Sequence, residues 1–151
     1  MEVRPALKKD IEDVARLLSI LRMKKVTSKQ IKNIFFDIVD SPHADVILAT
    51  KDGAGVGMAV LNSALKLNRI ECRLDDVIVD PSVRGGGVGT RLLEACDQWA
   101  WNKGCYKIEF TSRAERQDAL RFYEKLGYTK RDSFIYTKIS PTTDYVKTKV
   151  I

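Results

Sequence analysis

A glycine-rich loop, Arg84-Gly85-Gly86-Gly87-Val88-Gly89, carries the clearest chemical signal in the sequence. It follows an apolar, strand-like run that ends at Val79, and it opens an amphipathic helical pattern. Glycines let a backbone approach a ligand closely, and the first N–H groups of a helix attract anions together with the helix dipole. The pattern therefore predicts a phosphate-binding loop at a helix N-terminus.

The spacing within this loop excludes two common kinds of phosphate site. A mononucleotide loop needs G-x-x-x-x-G-K followed by Ser or Thr, but Thr90 lies five residues after Gly85. A dinucleotide fingerprint is G-x-G-x-x-G and begins directly after the strand. Here the loop begins several residues later, and Leu92 occupies the position of the third glycine. A merely flexible turn would not explain why the glycines open an amphipathic helix. A different phosphate ligand is expected.

The elements before the loop are read from hydrophobic periodicity and turn residues. Helical spacing predicts one helix from Lys8 onward and a second from Thr27 or Ser28 to about Asp40. The turn Asp52-Gly53-Ala54-Gly55 predicts a hairpin. The strands expected in this half are Glu2–Pro5, Asp45–Lys51, Val56–Leu65 and Ile70–Val79.

The elements after the loop complete the expected fold. A helix over Val88–Lys103 precedes a strand at Lys107–Thr111, which should lie parallel to the strand before the loop because a helix intervenes. A helix around Ala119–Leu126 closes at Gly127. Terminal strands are expected at Tyr128–Lys130 and Phe134–Ile139, and the segment from Pro141 is open between tail and strand.

Together these elements predict one α/β (α+β) domain over residues 1–151. Its mixed sheet should have six to seven strands flanked by about four helices, in the order β-α-α-β-β-β-α-β-α-β.

Composition narrows the class of protein and its partners. The net charge of +6 suits a polyanionic small molecule, while the absence of long runs of like charge argues against nucleic acid. The apolar runs are too short to span a membrane, and no signal peptide is visible, so a cytoplasmic protein is expected. Three unpaired cysteines should be reduced and partly buried, and a single histidine, His43, predicts no metal site.

Two motifs together resemble those of the GCN5-related N-acetyltransferase (GNAT) superfamily. Residues 84–89 match R-x-x-G-x-G, and residues 118–128 (DALRFYEKLGY) resemble the signature A-x-x-F-Y-E-K-x-G-F/Y. The β-α-α-β-β order before them also resembles that family. The resemblance implies an N-acetyltransferase that uses acetyl-CoA as the acetyl donor. It also implies that the phosphate bound by the glycine loop is the pyrophosphate of CoA.

The resemblance also implies which residues bind the cofactor. The pyrophosphate would be held by the loop amides of Arg84, Gly85, Gly86, Gly87, Val88, Gly89 and Thr90. The pantetheine arm would pair with the main chain of Val77, Ile78 and Val79, whose side chains are core residues. Arg116 stands where many relatives carry Asn. It is expected either to meet a CoA phosphate or to point to solvent.

The catalytic residues are implied in the same way. Tyr123 occupies the position of the family's usual proton donor to the departing thiolate, although its spacing alone would place it in the core. Asp75 occupies the position of a carboxylate that acts through water as a base. Strand alternation predicts that Asp75 and Asp76 lie on opposite faces, so that only one of them meets the acceptor. The absence of any dedicated base is the alternative.

The acceptor is less well defined by the sequence. Gly104–Ile108 and Val26-Thr27 resemble the glucosamine-phosphate N-acetyltransferase branch, whereas Thr111–Arg116 is closer to relatives grouped with aminoglycoside acetyltransferases. A small primary amine such as an amino sugar is therefore expected. A phosphosugar would suit the basic charge balance, and a cationic aminoglycoside would suit the two aspartates.

Two alternatives of another kind stay open. One is a protein or peptide N-acetyltransferase, because a fold does not fix its acceptor. The other is a CoA-binding regulatory module that has lost its chemistry. A homodimer is an expectation by analogy with the family alone.

Overall fold

The computed structural model describes residues 1–112 and 117–143, and it divides the chain into two compact units. The first unit covers Met1–Phe110, and the second begins at Thr111. The glycine loop and both candidate aspartates belong to the first unit, whereas Tyr123 belongs to the second. The two are described separately below, and a single domain over the whole chain stays a prediction.

The first unit is built on a mixed five-stranded sheet whose strands lie in chain order. The strands are β1 (Glu2–Pro5), β2 (Ala44–Lys51), β3 (Ala54–Leu65), β4 (Ile70–Val79) and β5 (Cys105–Glu109). The first four pair antiparallel with their neighbours, and β5 pairs parallel with β4. The predicted mixed sheet, with a parallel pair around a crossover helix, is thus confirmed.

The described residues contain four α-helices: α1 (Ile11–Arg22), α2 (Ser28–Asp40) and α3 (Val88–Asn102) in the first unit, and α4 (Gln117–Lys125) in the second. The start of α2 is set by a capping box. The Thr27 hydroxyl accepts from the Gln30 amide, and the Gln30 side chain accepts from the Thr27 amide. Residues Lys8–Asp10, predicted as part of the first helix, instead form a short 3₁₀ helix.

Within the first unit, α1, α2 and α3 cover the two faces of the sheet and bury two layers of apolar side chains. On one face, α1 and α2 pack on β2, β3 and β4 through a core that includes Leu17, Phe35, Leu48 and Met58. On the other face, α3 packs close to β3, where its residue Val88 lies near Gly57. This layering places both the end of β4 and the start of α3 at the same edge of the unit.

Two expectations about strands are corrected by the structure. The sheet has five strands in the described residues rather than six to seven, because Tyr128–Lys130 and Phe134–Ile139 form no strand. Phe134 and Tyr136 are almost fully exposed, at 86% and 94%, so the alternation that suggested a strand is not matched by a buried face. The strand predicted at Lys107–Thr111 begins two residues earlier, at Cys105.

The three cysteines are free, as predicted, and they are buried rather than only partly buried. Burial raises the pKa of the Cys72 thiol to about 12 and also raises the pKa of Cys96 and Cys105. All three are therefore protonated and shielded at neutral pH.

In the described part of the chain, no helix combines the length and the apolar character needed to cross a membrane.

Candidate active site

The most irregular part of the sheet is a β-bulge near the end of β4. Met58 of β3 pairs with Ile78, and Val60 pairs with Asp75, so that Asp76 and Val77 together stand opposite one residue. Asp76 has a φ of 51°, a left-handed conformation that is uncommon for any residue other than glycine. Because Met58 and Val60 share one face of β3, Asp75 and Ile78 both face α1 and α2.

The bulge overturns the expectation that Asp75 and Asp76 lie on opposite faces. Asp75 follows Val60 toward the α1 side, and Asp76 Oδ1 accepts a hydrogen bond of 2.6 Å from Arg22 Nη2 of α1. Simple alternation fails here because the extra residue shifts the strand by one position. The structure therefore brings both carboxylates to the same side of the sheet.

The two carboxylates have different surroundings. Asp75 Oδ1 accepts from Arg73 Nε at 3.2 Å, and its side chain is 41% exposed. Asp76 is more enclosed: burial raises its pKa above the ordinary value, the Arg22 guanidinium opposes that rise, and the nearby Asp75 charge adds to it. A carboxyl that is costly to ionise lies next to one that is open to water.

The two parallel strands separate beside the bulge. The last pair between β4 and β5 joins Arg73 to Glu109, but β4 continues for six more residues to Val79. Within the described residues, no strand pairs with this edge of β4 beyond Arg73. The main-chain groups of Val77, Ile78 and Val79 on this edge are thus left for another partner.

The glycine loop leads from β4 into an uncapped helix. Gly85 and Gly87 have φ values of 85° and 77°, and Gly87 is the N-cap residue of α3. No side chain caps this end in the described residues, and its first turn carries no acidic residue. The first amides of α3 (Val88, Gly89 and Thr90) precede the first intrahelical donor, Arg91. This end of α3 has the donors and the dipole for an anion.

The start of the loop is anchored by Asp80. Its carboxylate accepts from the amide and hydroxyl of Ser82 at 3.0 and 2.8 Å, and from Arg16 Nη1 of α1 at 2.8 Å. Arg16 also donates to the Gly55 carbonyl of β3. These bonds, led by the Ser82 amide, lower the pKa of Asp80 to about 2. The loop is therefore tied to both α1 and β3.

Sequence reasoning missed this anchor in part. Asp80-Pro81-Ser82 is a recognisable turn and capping pattern, so the local bonds of Asp80 were accessible from the sequence. The contact with Arg16 spans 64 residues and has no local signal. The same is true of Arg22, which meets Asp76 from 54 residues away.

In the second unit, the backbone at the end of α4 determines how Tyr123 is presented. Tyr128 N–H donates to the Tyr123 carbonyl at 3.1 Å, and Gly127 N–H donates to Glu124 at 3.0 Å, which forms a Schellman motif. The rings of Tyr123 and Tyr128 meet edge to face, with centroids 6.3 Å apart. Tyr123 is partly buried. The motif therefore holds the Tyr123 side chain against Tyr128. The sequence predicted the helix end at Gly127 but not this ring contact.

Most predicted site residues lie in one continuous segment of the chain. Asp75, the backbone of Val77–Val79 and the loop from Arg84 to Thr90 follow one another from the bulge of β4 into α3. Arg84 and the three glycines after it are exposed, whereas Val88 is buried. Arg116 lies outside the described residues.

Comparisons with known proteins identify the family of the chain. A family model described as the acetyltransferase (GNAT) family matches residues 12–128. An aminoalkylphosphonate N-acetyltransferase of Salmonella typhimurium (strain LT2) is 28% identical over 139 residues, 91% of this chain and 90% of that protein. A glucosamine 6-phosphate N-acetyltransferase of Trypanosoma brucei brucei is 44% identical over 55 residues, 36% of this chain and 35% of that protein.

A solved structure supports the fold. The aminoglycoside N-acetyltransferase AAC(6')-Iy in complex with CoA has a TM-score of 0.81 at 22% identity, covering 91% of this chain and 93% of that one. The family match extends over more than half of the sequence and includes the bulge, the glycine loop and Tyr123. The chain belongs to the acetyltransferase (GNAT) family, and it is an N-acetyltransferase.

Proposed function

We propose that this protein transfers an acetyl group from acetyl-CoA directly to the primary amine of a small molecule, with an amino sugar as the leading class of acceptor. The observation that carries the proposal is the uncapped N-terminus of α3, which the glycine loop opens at the end of a strand with a free edge. These two features are adjacent in the chain. They suit the two parts of CoA that any acetyl-CoA enzyme must hold.

The residues present fit such a donor. A pyrophosphate needs several N–H donors and no competing acid, and the amides from Arg84 to Thr90 supply donors at a helix end without an acidic first turn. An amide-containing arm needs main-chain partners, and Val77, Ile78 and Val79 offer them along the edge that β5 leaves unpaired.

The transfer step assigns roles to two side chains. The amine nitrogen forms a bond to the acetyl carbon, the carbon–sulfur bond breaks, and the departing thiolate takes a proton from the Tyr123 hydroxyl. The acceptor's own proton leaves to Asp75 through water, since that carboxylate is exposed enough to be hydrated. Asp75 lies one residue before the bulge, next to the proposed pantetheine strand.

The names of two relatives support a small amine as the acceptor. One is named for an aminoalkylphosphonate and the other for glucosamine 6-phosphate, and both of these are small molecules with one primary amine. Transfer to a peptide or protein amine is the second candidate. It would require the acceptor to reach Asp75 as part of a longer chain.

A pair of variants tests the proposal. Tyr123→Phe is expected to keep acetyl-CoA affinity, measured by calorimetry, and to lower turnover by about 10²-fold or more, because only the proton donor is removed. Gly87→Glu should instead abolish acetyl-CoA binding, since it adds a negative charge and a side chain at a left-handed position of the helix end.

Each arm of this experiment has an outcome that contradicts it. Unchanged turnover in Tyr123→Phe would remove Tyr123 from the mechanism. Retained acetyl-CoA affinity in Gly87→Glu would rule out the glycine loop as the cofactor site. Free CoA release should be followed across amino sugars, aminoglycosides, polyamines and peptides. Use of peptides alone would favour the second candidate.

A further inference from the structure

Arg22 at the C-terminal end of α1 has hydrogen-bonding capacity that the fold does not use. Its Nη2 donates to Asp76 Oδ1 at 2.6 Å. Its Nε atom is buried and has no hydrogen-bond partner in the part of the chain that the structure describes. A buried donor without a partner is costly, and each such group calls for an explanation. A guanidinium has five donors in a planar fork that matches oxyanions.

The backbone on both sides of this ion pair is strained. Three non-glycine residues have positive φ among residues 1–112 and 117–143, and one of them, Asp52, occupies the hairpin turn between β2 and β3. The other two are Asp76 itself and Met23, which follows Arg22 with a φ of 53°. Met23 closes α1 in the position that a glycine usually takes. Strained residues of this kind concentrate at ligand sites, where they hold a side chain in place.

The charges around the bulge are mixed rather than acidic. Asp76 pairs with Arg22 and Asp75 with Arg73, and Lys24 and Lys25 follow on the exposed connection between α1 and α2. The Arg22 side chain as a whole keeps 32% of its surface exposed, although its Nε atom is buried. An acceptor at this place therefore meets both carboxylates and a guanidinium.

We propose that Arg22 binds an oxyanion carried by the acceptor, so that the acceptor is a small primary amine that also bears a phosphate or phosphonate group. This inference rests on the proposed function, because it places the acceptor beside the bulge of β4. The amine would approach Asp75 while the oxyanion takes the remaining donors of Arg22. Arg22 would then determine specificity, since a site built to hydrogen-bond one group rejects the analogue that lacks it.

Matched acceptors test the inference on the wild-type protein without any substitution. Glucosamine 6-phosphate should be compared with glucosamine, and 2-aminoethylphosphonate with ethanolamine, by following CoA release. The charged member of at least one pair is expected to have a kcat/KM roughly 10- to 100-fold higher, the range of one or two charge-assisted hydrogen bonds. The pair with the larger ratio distinguishes a phosphosugar from an alkylphosphonate.

Arg22 variants then assign the preference to this side chain. Arg22→Gln is expected to raise the KM of the preferred charged acceptor by about 10-fold or more. It should leave the KM of acetyl-CoA within about two-fold, and it should lower kcat/KM much less for the uncharged acceptor than for the charged one. Arg22→Lys keeps the charge without the fork, so it should recover only part of the loss. Arg69→Gln is the matched control, because Arg69 has a similar 2.6 Å ion pair, with Glu71, at the other end of β4.

The outcomes separate this inference from the proposed function. Equal use of charged and uncharged acceptors by the wild-type protein overturns the inference and leaves the acetyltransferase assignment intact. The same holds if Arg22→Gln slows both members of a pair equally. If no small amine of either kind releases CoA, the proposed function fails and the inference fails with it.

Discussion

At the scale of single residues, two aspartates four positions apart at the end of β4 experience opposite environments. Asp76 is enclosed beside the bulge, and burial raises its pKa. Asp80 accepts hydrogen bonds from Ser82 and Arg16, and these lower its pKa to about 2. Ionisation of Asp80 therefore stabilises the folded protein, while ionisation of Asp76 costs stability. Asp80 holds the loop in place, whereas the charge of Asp76 lowers the stability of the folded protein.

The Asp80 environment predicts a pH-dependent loss of stability in Asp80→Asn. Asparagine can still accept from Ser82, but it loses the ion pair with Arg16. The free energy of unfolding at pH 7 should fall by about 1–2 kcal/mol. Because the folded pKa is depressed, the wild-type advantage is present above the ordinary pKa of 3.8 and shrinks as pH falls toward 2. Urea unfolding at several pH values measures this difference.

Asp76→Asn is the matched control, with the opposite sign. Its carboxyl has a raised pKa in the folded state, so the neutral variant should be at least as stable as the wild type at pH 7. Any gain disappears below the ordinary pKa of 3.8, where both states are protonated. A difference between wild type and Asp80→Asn that stays constant from pH 7 to pH 3 would contradict the assigned role of the Asp80 charge.

At the scale of elements, the position of α3 depends on how closely it approaches β3. A Cβ on Gly57 would lie 3.2 Å from the Ile78 carbonyl oxygen and 3.4 Å from Val88 of α3. The first of these contacts is with backbone, which cannot rotate away. The end of α3 that carries the proposed anion site therefore packs directly against Gly57, where there is no room for a side chain.

Gly57→Ala is accordingly expected to weaken acetyl-CoA binding as well as stability. The added methyl group should displace the α3 N-terminus, lowering the free energy of unfolding by about 1–3 kcal/mol. A roughly 10-fold or larger loss of acetyl-CoA affinity should accompany it in calorimetry. Gly53→Ala is the control, because its hairpin position has open space but a φ of 81°. It should lose stability without losing affinity, and wild-type affinity in Gly57→Ala would contradict this account of α3.

The elements also show which parts of the fold can be predicted from sequence. The bounds of β1 and β4 were predicted to the residue, because turn residues and alternation are local signals. The bulge was not, since Leu74-Asp75-Asp76-Val77 contains no glycine and the register is decided by β3. The apolar pattern at Phe134–Ile139 predicted a strand that does not form, because alternation alone does not supply a partner strand.

The candidate site divides in the same way. The loop and Tyr123 were recognisable because their residues are contiguous, and α3 and α4 begin and end close to where the pattern predicted. Arg16 and Arg22 were not, because each meets a carboxylate that is far away in the sequence. Local motifs thus identified the proposed donor site, whereas the proposed acceptor site emerged only from long-range packing.

At the scale of the whole molecule, the buried thiols report on the integrity of the first unit. Cys72 lies on β4, Cys96 on α3 and Cys105 at the start of β5, so exposing them requires the sheet and its helix to open. The reactive species is the thiolate, which burial disfavours at all three positions. Their accessibility is therefore coupled to unfolding rather than to local motion at the surface.

Thiol labelling should accordingly follow unfolding. In native protein at pH 8, a disulfide reagent such as 5,5′-dithiobis(2-nitrobenzoate) is expected to label less than one thiol per chain over minutes, and in denaturant all three. The labelling midpoint in urea should coincide with the midpoint from circular dichroism. Rapid labelling of any thiol in native protein would contradict the described packing. Slow labelling would also make the same reagent suitable for following CoA release.

The bulge of β4 reverses the alternation of side chains between the two faces of the sheet. Before it, Leu74 shares a face with Leu61, on the α3 side; after it, Ile78 shares a face with Met58, on the α1 side. Removal of one residue would exchange the faces of Ile78 and Val79 and carry the error into the loop. Loss of a single codon in β4 should thus be far more damaging than substitution of the same codon. The length of this strand, more than its composition, determines which side chains face each layer of the core and where the loop begins.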